Sequence, residues 1–310
     1  MDFEPFLHHF SSNMECSDQT IRAYRSDLKF FDAFLQKYSI HRLGQIDHTI
    51  ITNFIQHMRE MDNPRRNRKG LSDATIGRRL SSLSSYFEYV RATSKAKFRN
   101  PLNDLPRNKW KKNKDPKPVD DLVLDLLIPG MTNLRDRTLF TLFLATGLRI
   151  SEMWQLDRNS ISIAEVIENG GKHIEGSGKV LGKGRKIRTF FVDEETLVLY
   201  SEYLATRTDD NPALFLSERK QRISVRAIQY TLQTWCKRLA APHINVHRLR
   251  HTFATRLING DISAMVLREL MGHESFTTTL RYVKISEKKL ARGYFSAMEY
   301  QNKEANSLSL

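Results

Sequence analysis

In the first third of the chain, apolar side chains recur at three- and four-residue steps, the spacing that lines one face of a helix. After Ser17, a candidate N-cap, Ile21, Tyr24, Leu28, Phe31 and Leu35 form one stripe. Asp47 opens a second helix with Ile50, Ile51, Phe54, Ile55 and Met58 inward, and Ser72 a third with Ile76, Leu80, Leu83, Phe87 and Val90 on one side. Arg78 and Arg79 fall on the other face of that third helix, among small serines. Between the last two helices lies Pro64-Arg65-Arg66-Asn67-Arg68-Lys69-Gly70, a basic loop.

The period stops at residues 108–118, where lysines and prolines replace the apolar repeat; a segment that buries nothing reads as a linker. Helical patterns resume over residues 121–128 and 134–146. From 160 to 192 the pattern becomes β-rich: Ile161, Ile163, Val166 and Ile167 make a first run, and Val180-Leu181, Gly182-Lys183-Gly184 and residues 187–192 suggest a hairpin. Helices return after residue 193. The last stripe, Leu290, Tyr294, Ala297 and Met298, lies in a polar tail. The expected architecture is mainly α with a small β-sheet or hairpin, in two domains: residues 1–107, a linker at 108–118, residues 119–285, and a C-terminal helix and tail at 286–310.

Charge sharpens this picture. The 310 residues carry a formal net charge of +14, spread over both halves, which points to a polyanionic partner. Two cysteines, Cys16 and Cys236, lie far apart without metal-ligand spacing, which argues against a disulfide framework or a zinc site and fits a reducing cytosol. No apolar run approaches a membrane span, and Met1-Asp2-Phe3-Glu4 is no signal peptide. A cytoplasmic protein without metal or cofactor is expected. Beside Arg78 and Arg79, the basic loop reads as a phosphate-contacting surface (Arg65, Arg66, Arg68, Lys69), and Lys111 and Lys112 of the linker would lie along the same backbone.

The candidate chemistry is concentrated late in the chain. His247-Arg248-Leu249-Arg250-His251-Thr252 is followed by Leu270-Met271-Gly272-His273 and by Thr278-Thr279-Leu280-Arg281-Tyr282; upstream stand Gly147-Leu148-Arg149-Ile150-Ser151-Glu152 and Gly182-Lys183-Gly184. Singly, each has a plain alternative: a surface arginine, a turn lysine, structural histidines, a packing tyrosine. Together they make a toolkit for attacking a phosphodiester. A phenol titrates near 10, so cations must compensate by stabilising charge built up at the attacked phosphorus. Arg149 and Arg250 offer planar forks to non-bridging oxygens. His247, one helical turn before Arg250, suits phosphate binding and assistance to the proton of Tyr282; His273 would donate to a non-bridging oxygen. Lys183 is the candidate general acid, with Lys179 and Lys186 close by. Glu152 would orient Arg149 or another basic group. His251 is another candidate imidazole, but it lies outside the His-x-x-Arg pair and reads rather as helix support; Thr278 and Thr279 read as helix-start and packing groups.

This ordered set resembles the tyrosine recombinases, the family of phage integrases and bacterial Xer proteins, over nearly the whole chain. The resemblance implies a helical, SAM-like core-binding domain and a catalytic domain forming a C-shaped clamp on DNA. It also implies attack by Tyr282 to give a 3′-phosphotyrosyl link and a free 5′ hydroxyl, with no ATP and no metal. Four protomers would assemble on two double-stranded recombination sites and pass through a Holliday junction, with a second recombinase or accessory protein as a further possible partner. The stretch between the first and second β runs, Gly170 to Gly178, is longer than the family hairpin and leaves strand register open. Val283-Lys284-Ile285-Ser286 departs from the Thr-His-Val of chromosomal Xer proteins and favours a mobile-element or plasmid enzyme. Rival readings are a type IB topoisomerase or telomere resolvase, and a non-catalytic DNA-binding relative.

Overall fold

The protein is described by a computed structural model covering residues 1–13, 18–63, 68–94, 98–103, 105, 117–168, 171–182 and 186–283. The chain divides into two compact units, Met1–Lys114 and Asp115–Leu310. Among the described residues, no helix is long and apolar enough to cross a membrane.

The first unit is helical: α1 (Glu4–Asn13), α2 (Asp18–Lys37), α3 (His48–Glu60) and α4 (Asp73–Thr93). Asp47 caps α3 by accepting from Ile50 N at 2.9 Å, and Ser72 caps α4 by accepting from Thr75 N at 3.3 Å. Each cap satisfies an amide left without an intrahelical partner. The predicted stripes converge on one core, in which Leu28, Phe31, Phe54, Leu83 and Phe87 are fully enclosed. Strands β1 (Asp62–Asn63) and β2 (Arg68–Lys69) pair antiparallel between α3 and α4. Lys69 is exposed there; Arg65 and Arg66 lie outside the described residues, as does the side chain of Arg68.

The arginines of α4 correct an expectation. Asp27 of α2 is buried, 1% exposed, and its carboxylate is met by the guanidiniums of Arg78 and Arg79 and by the hydroxyl of Ser82. Arg79 also stacks on the Phe30 ring, 3.6 Å from its centroid, and only 15% of its side chain is exposed. Arg79 is therefore an internal partner of α2, not a group on an open outer face. Arg78, half-exposed, is engaged by the same carboxylate. A buried carboxylate requires such compensation, because desolvation penalises the charge.

The second unit places a sheet and helices around α6 (Leu134–Thr146), whose Leu139, Phe140, Leu142 and Phe143 are fully buried. A helix apolar on so much of its circumference belongs inside. Around it lie α5 (Asp121–Leu127), α7 (Ile150–Gln155), α8 (Glu194–Ala205), α9 (Val225–Arg238), α10 (Val246–Asn259), α11 (Ala264–Met271) and α12 (Phe276–Leu280). Strands β3 (Ser162–Glu168), β4 (Gly171–Leu181) and β5 (Ile187–Val192) form an antiparallel sheet in chain order. From Gly171 on, the long glycine-containing stretch is strand: β4 pairs with β3 from Glu168↔Gly171 to Ser162↔Ser177. The β4–β5 pairing runs from Gly176↔Val192 to Leu181↔Ile187.

Replacing Asp27 by Ala should lower the stability of the first unit by about 1.5–3 kcal/mol, the usual worth of hydrogen bonds to a buried charge. Thermal unfolding of the full chain checks this; an unchanged melting curve would show that the two arginines are satisfied by water alone.

Candidate active site

Two left-handed glycines set the backbone of the site. α6 ends at Gly147 (φ +59°) and α11 at Gly272 (φ +58°), the αL geometry that closes helices. A Cβ at Gly147 would sit 2.2 Å from the Phe253 ring, and one at Gly272 2.7 Å from Arg188 Cδ. Both positions thus exclude a side chain. After the first turn comes Arg149, the N-cap residue of α7; after the second comes His273.

Arginines converge on the end of α11 and on one carboxylate. Arg188 donates to Leu270 O, Arg250 to Met271 O, and Arg149 to Gly272 O at 2.7 Å, so three consecutive carbonyls each receive a guanidinium. These carbonyls belong to a helix end, where no intrahelical amide remains to satisfy them and the dipole favours cations. Arg250 also donates to Gly147 O at 2.5 Å, tying the two glycine turns together. Glu152, 2% exposed, lies 2.7 Å from Arg149 Nη1, 2.7 Å from Arg188 Nη2 and 3.9 Å from Arg250 Nη1, and it accepts from Arg149 N at 2.7 Å.

Charge follows geometry. Burial works to raise the Glu152 pKa, but the hydrogen bond and charge of Arg188, then Arg149, hold it below the ordinary carboxylate value. Arg250 is lowered to about 9 by burial and by the charges of Arg149 and Arg188, and stays protonated at neutral pH. Three guanidiniums against one carboxylate leave the pocket with a surplus of positive charge.

The imidazoles and the phenol line the same pocket. His247, Arg250 and His251 share one face of α10, and Asn245 caps that helix by accepting from Arg248 N at 3.0 Å. His273 Nδ1 lies 2.9 Å from Thr279 Oγ1, which fixes its ring, and the ring stacks on Tyr282 at 6.2 Å between centroids. Tyr282 is 8% exposed and packs with Ala254, Ile258, Leu267 and Met271. Its hydroxyl meets His251 Nδ1 at 2.5 Å. Burial raises the Tyr282 pKa against the pull of Arg250 and Arg281. His273 and His251 are each lowered to about 4, first by burial and then by neighbouring cations, and His247 is lowered for the same reasons.

Family-model matches cover residues 120–289 with the phage integrase family and residues 3–93 with the phage integrase N-terminal SAM-like domain, so the first alone spans more than half the chain. The chain belongs to the phage integrase family. It is 28% identical over 302 residues to tyrosine recombinase XerC of Pseudomonas syringae pv. tomato, covering 95% of this chain and 94% of that one. Tyrosine recombinase XerC of Escherichia coli O139:H28 is 29% identical over 307 residues, 96% of this chain and 95% of that one. In fold, this integrase-family chain resembles the Tn1549 transposon integrase in complex with circular intermediate DNA (TM-score 0.68, 18% identity, 94% of this chain and 97% of that one). It also resembles XerH recombinase bound to palindromic difH substrate (TM-score 0.67, 21% identity, 89% and 79%).

For this integrase-family protein, the structure brings together Arg149, Glu152, His247, Arg250, His273 and Tyr282. Lys183 lies outside the described residues, but a Cβ on its neighbour Gly182 would stand 3.7 Å from Glu152 Oε1 and 3.9 Å from Arg149 Nη1. Lys179 and Lys186 are exposed. Lys111 and Lys112 lie outside the described residues. Sequence reasoning gave two groups a different role and missed a third. Thr279, a packing group by its pattern, holds His273. His251, helix support by its pattern, is the partner of the phenol, a contact expected of His247; its position one turn after His247 was the available signal. Arg188 is an inward residue of β5, where burial alternates; a charged residue in phase with Phe190 and Val192 was the hint.

Glu152→Gln should destabilise the second unit, because it withdraws the charge that three arginines share. The folded pKa of Glu152 is depressed, so its contribution is present above the unfolded carboxyl value of about 4.3 and is lost as pH falls through the folded one. The gap in melting temperature between wild type and Glu152→Gln should be full at neutral pH and close in acid. A gap independent of pH would mean that shape, not charge, is what Glu152 provides.

Proposed function

We propose that this protein is a site-specific DNA recombinase that cuts and rejoins DNA through a 3′-phosphotyrosyl link to Tyr282. The observation that carries the reading is the pocket itself: a surplus of buried guanidinium charge beside a tyrosine hydroxyl flanked by imidazoles. Such a surplus of positive charge suits an anion whose charge grows during reaction.

In this reading Arg149 and Arg250 grip the non-bridging oxygens of the scissile phosphate, and Glu152 and Arg188 hold them in place. His247 and His273 complete the donor set. Lys183 protonates the leaving 5′ oxygen. A 5′ hydroxyl from a partner duplex then displaces the tyrosine, so bond energy is kept in the covalent link and ATP is not needed. Four protomers act on two sites through a Holliday junction, with the 286–310 tail joining neighbours. Arg65, Arg66, Arg68 and Lys69, with Lys111 and Lys112, bind phosphates outside the catalytic pocket.

Tyr282→Phe should bind a recombination site normally and form no covalent adduct, while wild type is trapped on a nicked suicide substrate as a slower band on a denaturing gel. An adduct from the Phe variant would remove Tyr282 from the role. The substrate itself comes from sequencing DNA fragments bound by the protein in its host.

Lys183→Ala should slow cleavage strongly and recover on a 5′-phosphorothiolate substrate, whose leaving group needs no proton. Recovery by Lys179 or Lys186 variants instead would move the general acid.

Neutralising Arg65, Arg66, Arg68 and Lys69 should flatten the dependence of log affinity on log salt by about 0.9 for each DNA phosphate that the loop neutralises. An unchanged slope in a salt titration would turn this loop to solvent.

A further inference from the structure

The sequence points to His247 for help with the proton of the attacking phenol, but the imidazole that touches the Tyr282 hydroxyl is that of His251. We propose that His251 is the acceptor of that proton: its Nδ1 takes the proton from Tyr282 Oη as the Oη–phosphorus bond forms. The inference rests on Tyr282 being the nucleophile.

The contact is direct. His251 Nδ1 and Tyr282 Oη are 2.5 Å apart, with ring centroids 5.7 Å apart at 45°. That is hydrogen-bond reach, the first requirement of a general base. His251 sits one residue after Arg250 on α10, so the helix that presents a guanidinium to the pocket presents the base beside it. His247 lies edge-on to His251, at 4.5 Å between centroids. The Tyr282 ring is fixed by its apolar packing and by the stacked ring of His273.

The protonation state fits. With a pKa lowered to about 4, His251 is neutral near pH 7, and the tautomer carrying its proton on Nε2 leaves Nδ1 free to accept. The charged and titratable groups facing it are His247, Arg248 and Arg250 from its own helix, and Tyr282 and His273 from the segments packed against it; Arg281 adjoins Tyr282. Its depression comes from burial first, then from His247, Arg250 and Arg248. A bound phosphate offsets the Arg250 charge, so His251 becomes more basic when the substrate arrives.

The step balances. Tyr282 Oη bonds to phosphorus, its proton goes to His251 Nδ1, and the bond from phosphorus to the 5′ oxygen breaks, that oxygen taking its proton from Lys183. In the rejoining step the 5′ hydroxyl attacks phosphorus, its proton returns to Lys183, and the departing Tyr282 oxygen recovers its proton from the His251 imidazolium. His251 therefore holds the proton for the lifetime of the covalent link.

The test is single-turnover adduct formation by the full chain on a nicked suicide substrate, across pH, for wild type, His251→Gln, His251→Ala and Tyr282→Phe. Gel shift and thermal unfolding establish that each variant binds DNA and folds. His251→Gln keeps a hydrogen-bond acceptor near the phenol but cannot hold a proton. It should cleave about 10²-fold more slowly at neutral pH, within the usual range for a lost general base. Wild type should show an acid limb and a plateau; the Gln variant should lose that limb and speed up steadily toward the phenol's own range, which burial raises above the usual value of about 10. Added imidazole should raise the rate of His251→Ala and leave wild type unchanged. A Gln variant as fast as wild type overturns the assignment, as does a slow one whose pH profile keeps the wild-type shape and whose Ala counterpart ignores imidazole. An adduct in Tyr282→Phe would instead defeat the nucleophile reading, a separate result. If the variants prove too unstable to assay, the wild-type profile still decides, since a rate without an acid limb contradicts a histidine base.

Discussion

The second unit depends on one electrostatic constraint: guanidiniums buried side by side repel, and each requires acceptors in fixed places. The fold answers with the last carbonyls of α11, Leu270, Met271 and Gly272, one for each of Arg188, Arg250 and Arg149, and with the Glu152 carboxylate among them. A helix end would otherwise leave those carbonyls unsatisfied. Two incomplete sets of groups thus complete one another. The carboxylate offsets only part of the charge, which leaves the cluster net positive.

That arrangement also explains why the backbone around the site is so constrained. Gly147 and Gly272 turn their helices in the left-handed region and leave no room for a Cβ against Phe253 and Arg188. The carbonyl of Gly147 and that of Met271 then accept from the same guanidinium, Arg250, so helices α6 and α11 are held through one buried side chain. Arg149 and His273 leave these two turns already aimed into a common space. The candidate site is therefore also structural in this unit: the same side chains join α6, α7, α10, α11 and β5.

In the first unit the same physics is put to structural use. Asp27 between α2 and α4 draws Arg78 and Arg79 inward, and Arg79 flattens on Phe30. A pair of arginines among serines on one helix face is what a nucleic-acid surface looks like in sequence. Which of the two remains available to a phosphate depends on a carboxylate some fifty residues earlier, a partner that helical periodicity does not reveal.

Much of this protein was settled by its sequence. Three- and four-residue apolar steps and the caps Asp47 and Ser72 gave the helices α3 and α4, because a helix must bury one face and satisfy its first amides locally. The order of Arg149, Glu152, His247, Arg250, His273 and Tyr282 gave the candidate chemistry, because these residue types suit a phosphoryl centre and local packing gives no reason for them. Tertiary structure decided the pairings. Gly171–Gly178 became strand only because β3 lay beside it, and Arg188 became a site residue only because the end of α11 reached β5. His251, and not His247, met the phenol because the chain after α12 returns Tyr282 to that point of α10. Local pattern fixes which way a side chain faces on its own element; what waits on the other side is set by contacts between residues distant in the chain.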